Sequence, residues 1–315
     1  MARWAHRWGF ALRSCAGAVL VASVGVAGCN KHDEPDASPT PAETASATEP
    51  KKDATPAADA KGPTAPGAFG NDDRLHQPFA KAVFRDNDLP PESNRPPDDT
   101  IAGKPTYALL RQVKELWETI RFITTDGKAI EYTAVIETNL GEFEIALRPD
   151  AAPNHVRSFI ALAQAGFYNG LLFDRVRAEE PDSTADTPGT RLEQIEAGNP
   201  RGALEEINGS IGYWLHVEPS KLTHEEGTVG ACLEGGAESD GCRFYVTLSK
   251  APYLDGNFTA FGNVRTGLDV ARKIFAQPVV NEDRERDGLR RPEKPVIIKK
   301  VTIHTRSAGA TEGTK

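Results

Sequence analysis

Between Tyr132 and Arg306 the apolar residues fall in short runs, most of them followed by a polar stretch or by a Gly-, Asn- or Asp-containing turn. That pattern leaves few architectures open. Ala134–Thr138 reads as a strand, Asn139-Leu140-Gly141 as a turn, and Phe143–Leu147 as a second strand with one buried face. Further strands are predicted at Leu171–Val176, Leu192–Ala197, Gly212–His216, Thr228–Leu233, Phe244–Leu248, Thr259–Val264 and Val296–His304. One helix is expected from a cap at Asp150 to Gln164, with Val156, Phe159, Ile160 and Ala163 inward and Gly166 closing it. A second is expected at Leu268–Ala276. Many short strands with two helices predict a mainly β domain over 132–306, a closed antiparallel barrel rather than a parallel α/β sheet.

The N-terminus has a different character. Arg3, Arg7 and Arg13 precede an apolar run from Cys15 to about Val26, which ends in Val26-Ala27-Gly28-Cys29. A basic start, a short apolar core and small residues before the cut predict an export signal over 1–28. Cys29 directly after Ala-Gly is similar to a bacterial lipoprotein signal. That resemblance implies cleavage before Cys29 and lipidation of its thiol; an uncleaved anchor or an ordinary signal peptide is the alternative. Asn30, in place of Asp, favours the outer membrane of a two-membrane cell, facing the periplasm; the cell exterior is the other location. Removing residues 1–28, with three Arg and no acid, takes the net charge from −8 to −11.

Residues 29–68 follow as a tether. They are rich in Ala, Pro, Thr and charged residues, with Pro at 35, 39, 41, 50, 56, 63 and 66. Such a composition buries too little apolar surface to offset chain entropy. Residues 69–131 are expected to be partly ordered. Within them Leu109, Leu110, Val113, Leu116, Trp117 and Ile120 recur at helical spacing, predicting an amphipathic helix near 107–123. It either packs on the main domain or binds a partner. A disordered tail is expected over 307–315. The acidic balance and scattered Lys and Arg exclude a nucleic-acid footprint. Four Cys in 315 residues are too few for a disulfide-built fold.

The motifs of residues 134–305 occur in an order that resembles a known family. They are Thr138-Asn139-Leu140-Gly141, Ala152-Pro153-Asn154-His155-Val156-Arg157-Ser158-Phe159, Gly166-Phe167-Tyr168-Asn169-Gly170 and Phe173-Asp174-Arg175-Val176. Gly198-Asn199-Pro200, His224-Glu225-Glu226-Gly227-Thr228-Val229 and Leu254-Asp255-Gly256-Asn257-Phe258-Thr259-Ala260-Phe261-Gly262-Asn263-Val264 complete the series. Together they resemble the cyclophilin-type peptidyl-prolyl cis-trans isomerases. The resemblance implies an eight-stranded antiparallel barrel capped by two helices, here with an N-terminal helical extension. It also implies an isomerase that needs no cofactor and no metal. The partners expected are proline-containing peptides or unfolded exported proteins, and a lipid bilayer reached through Cys29. No nucleic acid is expected, and the chain is expected to be a monomer.

By the same resemblance, Arg175 is the donor that stabilises a twisted X–Pro amide; an ordinary ion-pair role is the alternative. The surrounding pocket departs from the family's pattern. A Phe-Met-x-Gln segment is replaced by Glu193-Gln194-Ile195-Glu196. A Gln-Phe-Phe strand becomes Arg243-Phe244-Tyr245, an Ala-Asn-Ala segment falls on Cys232-Leu233-Glu234, and Tyr253 stands where Trp or His is common. Arg175, Glu196 and Arg243 are the candidate catalytic residues. Phe173, Gln194, Tyr245, Leu254 and Phe258 are the candidate substrate-binding residues. Two Arg against one Glu predict a net positive groove. Either the site is active, or Glu196 ties up Arg175 and only peptide binding remains.

Two further expectations concern neighbouring segments. Cys232 and Cys242, at the ends of adjacent strands in the implied barrel, form either a disulfide or two thiols. An acidic insert, Ala178–Thr190, lies at the groove's mouth either as a solvated loop or as a gating lid. No nucleophile elbow, phosphate loop or metal-ligand spacing is present, and His155 is placed on a helix surface.

Overall fold

The computed structural model describes residues 75, 77–84, 96–179, 191–202, 210–234, 238–280 and 289–307. The signal over 1–28, Cys29, the tether over 29–68 and most of the acidic insert lie outside these residues.

The elements run α1 (Phe79–Ala82), β1 (Val83–Phe84), α2 (Thr106–Trp117), β2 (Ile130–Thr138), β3 (Gly141–Leu147) and α3 (Pro153–Gln164). Then come β4 (Leu172–Glu179), β5 (Leu192–Ala197), β6 (Trp214–Leu215), β7 (Thr228–Glu234), β8 (Glu238–Thr247) and β9 (Ala260–Thr266). The chain continues with α4 (Leu268–Phe275), β10 (Val279–Val280), β11 (Leu289–Pro292) and β12 (Val296–Ser307). Eight strands pair antiparallel in the order β8-β7-β9-β3-β2-β12-β4-β5, and β5 returns to β8. The closed eight-stranded barrel expected from the motifs is therefore present, and closure removes the unpaired strand edges. β12 extends through Ser307, which pairs with Ile130, so Ser307 belongs to the barrel rather than to a tail.

Alternation sets the inner face. Ile136, Phe143, Phe173, Ile195, Phe244 and Val246 are essentially inaccessible and form one core cluster. α4 packs Val270, Ala271 and Ile274 inward on one side. α3 is buried from Pro153 to Ala163 on every face. A helix can be buried all round only if something covers its outer side, and here the extension does so.

Trp117 of α2 packs edge-on against Phe79 with ring centroids 5.4 Å apart, and its indole Nε1 donates to the Gln77 carbonyl at 3.1 Å. The Arg157 guanidinium of α3 lies 5.5 Å from the Trp117 ring and 4.7 Å from the Phe122 ring, and it donates to the Leu75 carbonyl. Burial lowers the Arg157 pKa to about 10. The helix expected near 107–123 ends at Trp117; Ile120 and Phe122 lie beyond it and are buried, with Phe122 edge-on to Tyr132 of β2 at 5.8 Å.

Two local expectations are corrected. Asp150 does not cap α3; it forms a bidentate pair with Arg148 at 2.8 and 2.6 Å. The open amides at the start of α3 are taken by Glu218, which accepts from Asn154 N at 3.1 Å and His155 N at 3.0 Å. His155 is buried rather than on the surface, and its Nδ1 lies 2.6 Å from the same Glu218 carboxylate.

Candidate active site

One rung across the barrel wall organises the site. Arg175 of β4 stands opposite Glu196 of β5, Glu196 opposite Tyr245 of β8, and Tyr245 opposite Gly230 of β7. Their side chains share the outer face, since Ile195, Phe244 and Val246 point into the core. The register of β4 slips between Phe173 and Arg175, which makes Asp174 the extra residue of a β-bulge. A bulge re-aims side chains locally. Here Asp174 is tucked inward, 1% exposed, while the Arg175 side chain keeps 21% of its surface.

The polar floor is a network in which Asp174 Oδ1 and Arg243 Nε are buried without a hydrogen bond. Arg243 Nη2 donates to Glu196 Oε2 at 2.9 Å and to Asp174 Oδ2 at 3.2 Å. Gln194 Nε2 donates to the other Glu196 oxygen at 2.9 Å, and Cys232 Sγ lies 3.9 Å from Oε2. Arg175 Nη1 forms a longer ion pair with Glu196 Oε2 at 4.0 Å. Desolvation raises the Asp174 pKa, against the lowering influence of Arg243. Asp174 adds a second carboxyl group to the one the sequence placed there, so two guanidinium groups face two carboxyl groups.

The apolar wall gathers Tyr245, Leu254 and Phe258. Phe258 meets the Tyr245 ring edge-on at 6.2 Å and packs on the small cluster of Leu192, Ala251 and Leu254. Tyr253 is half exposed beside them. A Cβ at Gly230 would overlap the Tyr245 ring, so only Gly permits that ring position. The Tyr245 hydroxyl lies 2.7 Å from His224 Nε2, and His224 Nδ1 lies 2.7 Å from Asp255 Oδ1. Burial, first, holds the Tyr245 phenol well above its ordinary pKa.

The arrangement brings together Arg175, Glu196, Arg243, Gln194, Tyr245, Leu254 and Phe258. It does not bring in Phe173, which sits inside the barrel between Phe143 and Phe244, each 6.2 Å away. Its alternation with Arg175 is interrupted by the bulge, and its job is core packing. The Cys232–Cys242 disulfide is not formed: both are buried thiols. Cys232 faces the Glu196 network, whereas Cys242 shares the core face with Phe244, so their side chains leave opposite faces of the sheet. Asp174, His224 and Asp255 were not anticipated in the site. A Tyr in place of Phe on a buried wall demands a hydroxyl partner, and that was the available signal for His224.

Comparison with known proteins is consistent across the barrel. The family model described as cyclophilin type peptidyl-prolyl cis-trans isomerase/CLD matches residues 133–303. A probable peptidyl-prolyl cis-trans isomerase of Brucella suis is 31% identical over 173 residues, which are 55% of this chain and 83% of that protein. Peptidyl-prolyl cis-trans isomerase-like 1 of Aspergillus fumigatus is 30% identical over 156 residues, 50% of this chain and 89% of that one. Peptidyl-prolyl cis-trans isomerase-like 2 of Rhizopus delemar, 30% identical over 180 residues and 56% of this chain, is matched over only 29% of its own length. Among solved structures, a cyclophilin type peptidyl-prolyl cis-trans isomerase of Cryptosporidium parvum covers 56% of this chain and 99% of its own. It has 21% sequence identity and a TM-score of 0.44.

Proposed function

The chain belongs to the cyclophilin type peptidyl-prolyl cis-trans isomerase family, and from that premise we propose that Arg175 accelerates rotation about X–Pro bonds in exported proteins. The uncatalysed barrier is about 20 kcal/mol because rotation breaks amide resonance. A proline ring held against Tyr245, Leu254 and Phe258 leaves the twisting amide beside Arg175. A guanidinium is permanently charged and planar, and in a poorly hydrated groove its donors favour the twisted state over either planar isomer. No covalent step is involved.

The observation that carries this reading is the separation of roles between the two arginines. Arg243 engages Glu196 at 2.9 Å, whereas Arg175 pairs with it at a longer 4.0 Å and keeps part of its side chain at the surface. Glu196 therefore holds the floor of the site more closely than it holds the candidate donor. A second reading, a peptide-binding module without rate enhancement, is favoured by one observation. Gln194, Glu196 and Arg243 are all buried beneath the wall, so the floor under a proline ring is polar.

On either reading the domain would work as a monomer, tethered by residues 29–68 to a membrane through a lipid on Cys29. The test of function is a protease-coupled isomerisation assay on an Ala-Pro-containing peptide. The isomerase reading expects activity in the wild type and its loss in Arg175→Ala. Activity that survives Arg175→Ala removes the catalytic assignment, and binding without activity in the wild type leaves the second reading.

A further inference from the structure

His224 joins two parts of the site that are distant in sequence. Its ring is essentially inaccessible, with Asp255 on Nδ1 and Tyr245 on Nε2, both at 2.7 Å. Its backbone N–H also donates to Asp255 Oδ1 at 2.7 Å, and its carbonyl accepts from Ala251 N at 2.8 Å. Those bonds fasten the segment that carries Leu254 and Phe258. The Nε2 bond fastens Tyr245, on the opposing strand β8. One imidazole therefore sets the spacing between the two halves of the apolar wall.

The hydrogen on Nδ1 follows from its partner. A carboxylate only accepts, so Nδ1 carries the hydrogen, and Nε2 exchanges one hydrogen bond with the Tyr245 hydroxyl. The Tyr245 hydroxyl is thereby held by His224, and its ring meets Phe258 edge-on. The close approach over Gly230 prevents the ring from moving toward β7.

We infer that the Asp255–His224–Tyr245 chain is a positioning relay, in which His224 acts through Tyr245 to set affinity for the proline side chain. The inference rests on the isomerase reading and extends it to His224 and Asp255, which touch no substrate. It predicts an effect on KM rather than on kcat, since Arg175 stands outside the relay.

The test is a double-mutant cycle on the full chain, with His224→Phe measured in the native background and in Tyr245→Phe. KM and kcat are read for an Ala-Pro peptide, together with its Kd by calorimetric titration. In the native background His224→Phe leaves a buried hydroxyl unsatisfied, and KM and Kd should rise about tenfold with kcat changed less than about twofold. In the Tyr245→Phe background the same change should shift KM by less than about twofold, because no hydroxyl remains to be held. If His224→Phe does not fold, Asp255→Ala replaces it in the cycle; that side chain is one-third exposed. Equal effects in both backgrounds, or an effect on kcat alone, overturn the relay while the isomerase reading stands. A wild type that neither isomerises nor binds the peptide overturns both.

Discussion

Arg243 donates to Glu196 at 2.9 Å between two neighbouring strands, with both side chains buried. Arg243 also serves Asp174 at 3.2 Å, which makes the two ends of the pair unequal. Arg243→Gln strips the cation from two buried carboxylates and should destabilise by about 3–5 kcal/mol. Glu196→Gln leaves Arg243 on Asp174 and should cost about 1–3 kcal/mol. Urea unfolding of both variants checks the order; a costlier Glu196→Gln contradicts it.

Asp174 predicts a pH signature. Burial raises its pKa in the folded chain, so the native state holds this proton where the unfolded state has released it. Its contribution to stability is fully present below the ordinary carboxylate value of about 3.9 and is lost as pH rises through the raised value. Asp174→Asn abolishes that titration. The stability of Asp174→Asn relative to wild type should therefore climb as pH rises from about 4 toward neutrality, as read by unfolding at a series of pH values. A flat or falling difference contradicts this.

The extension should behave as part of the barrel. Trp117 is buried against Phe79 and over Arg157, and Trp117→Ala should cost about 3–5 kcal/mol. Calorimetry should show the transition of the barrel itself shifting down. A separate, small transition for the extension, with the main one unmoved, would show that the covering of α3 is dispensable.

Cys232 and Cys242 should be protected thiols. Alkylation without reductant should label neither in the folded chain and both after denaturation, as mapped by mass spectrometry. Labelling that requires a reductant would show a bond that their opposite orientations disfavour.

Much of the barrel was legible because period-2 alternation and turns are local. β5 starts and ends at the expected Leu192 and Ala197, and β4, β7, β9 and β12 differ mainly at their ends. β8 begins six residues before the expected Phe244, where Asp240 and Ser239 pair with Trp214 and Leu215 of β6. Such pairing depends on a distant strand. Of the candidate site, Arg175 lies in a motif that carries the resemblance, whereas Glu196, Arg243 and Tyr245 stand at family positions with changed residues, and the strand pairing places them on one rung. Asp174 was hidden because a bulge breaks the alternation that would have placed it. The covering of α3 was hidden for a similar reason: Arg157 and Trp117 are 40 positions apart, and their contact is set by packing rather than by local propensity.

The central claim is that Arg175 supplies rate enhancement separable from binding. It is tested most directly by measuring kcat and peptide Kd together, for wild type and Arg175→Ala, on one Ala-Pro peptide. The account predicts a fall in kcat of at least about 100-fold, the scale of losing one transition-state donor. Kd should stay within about threefold, since ground-state binding is a separate quantity. An unchanged kcat, or a loss carried wholly by Kd, would contradict it.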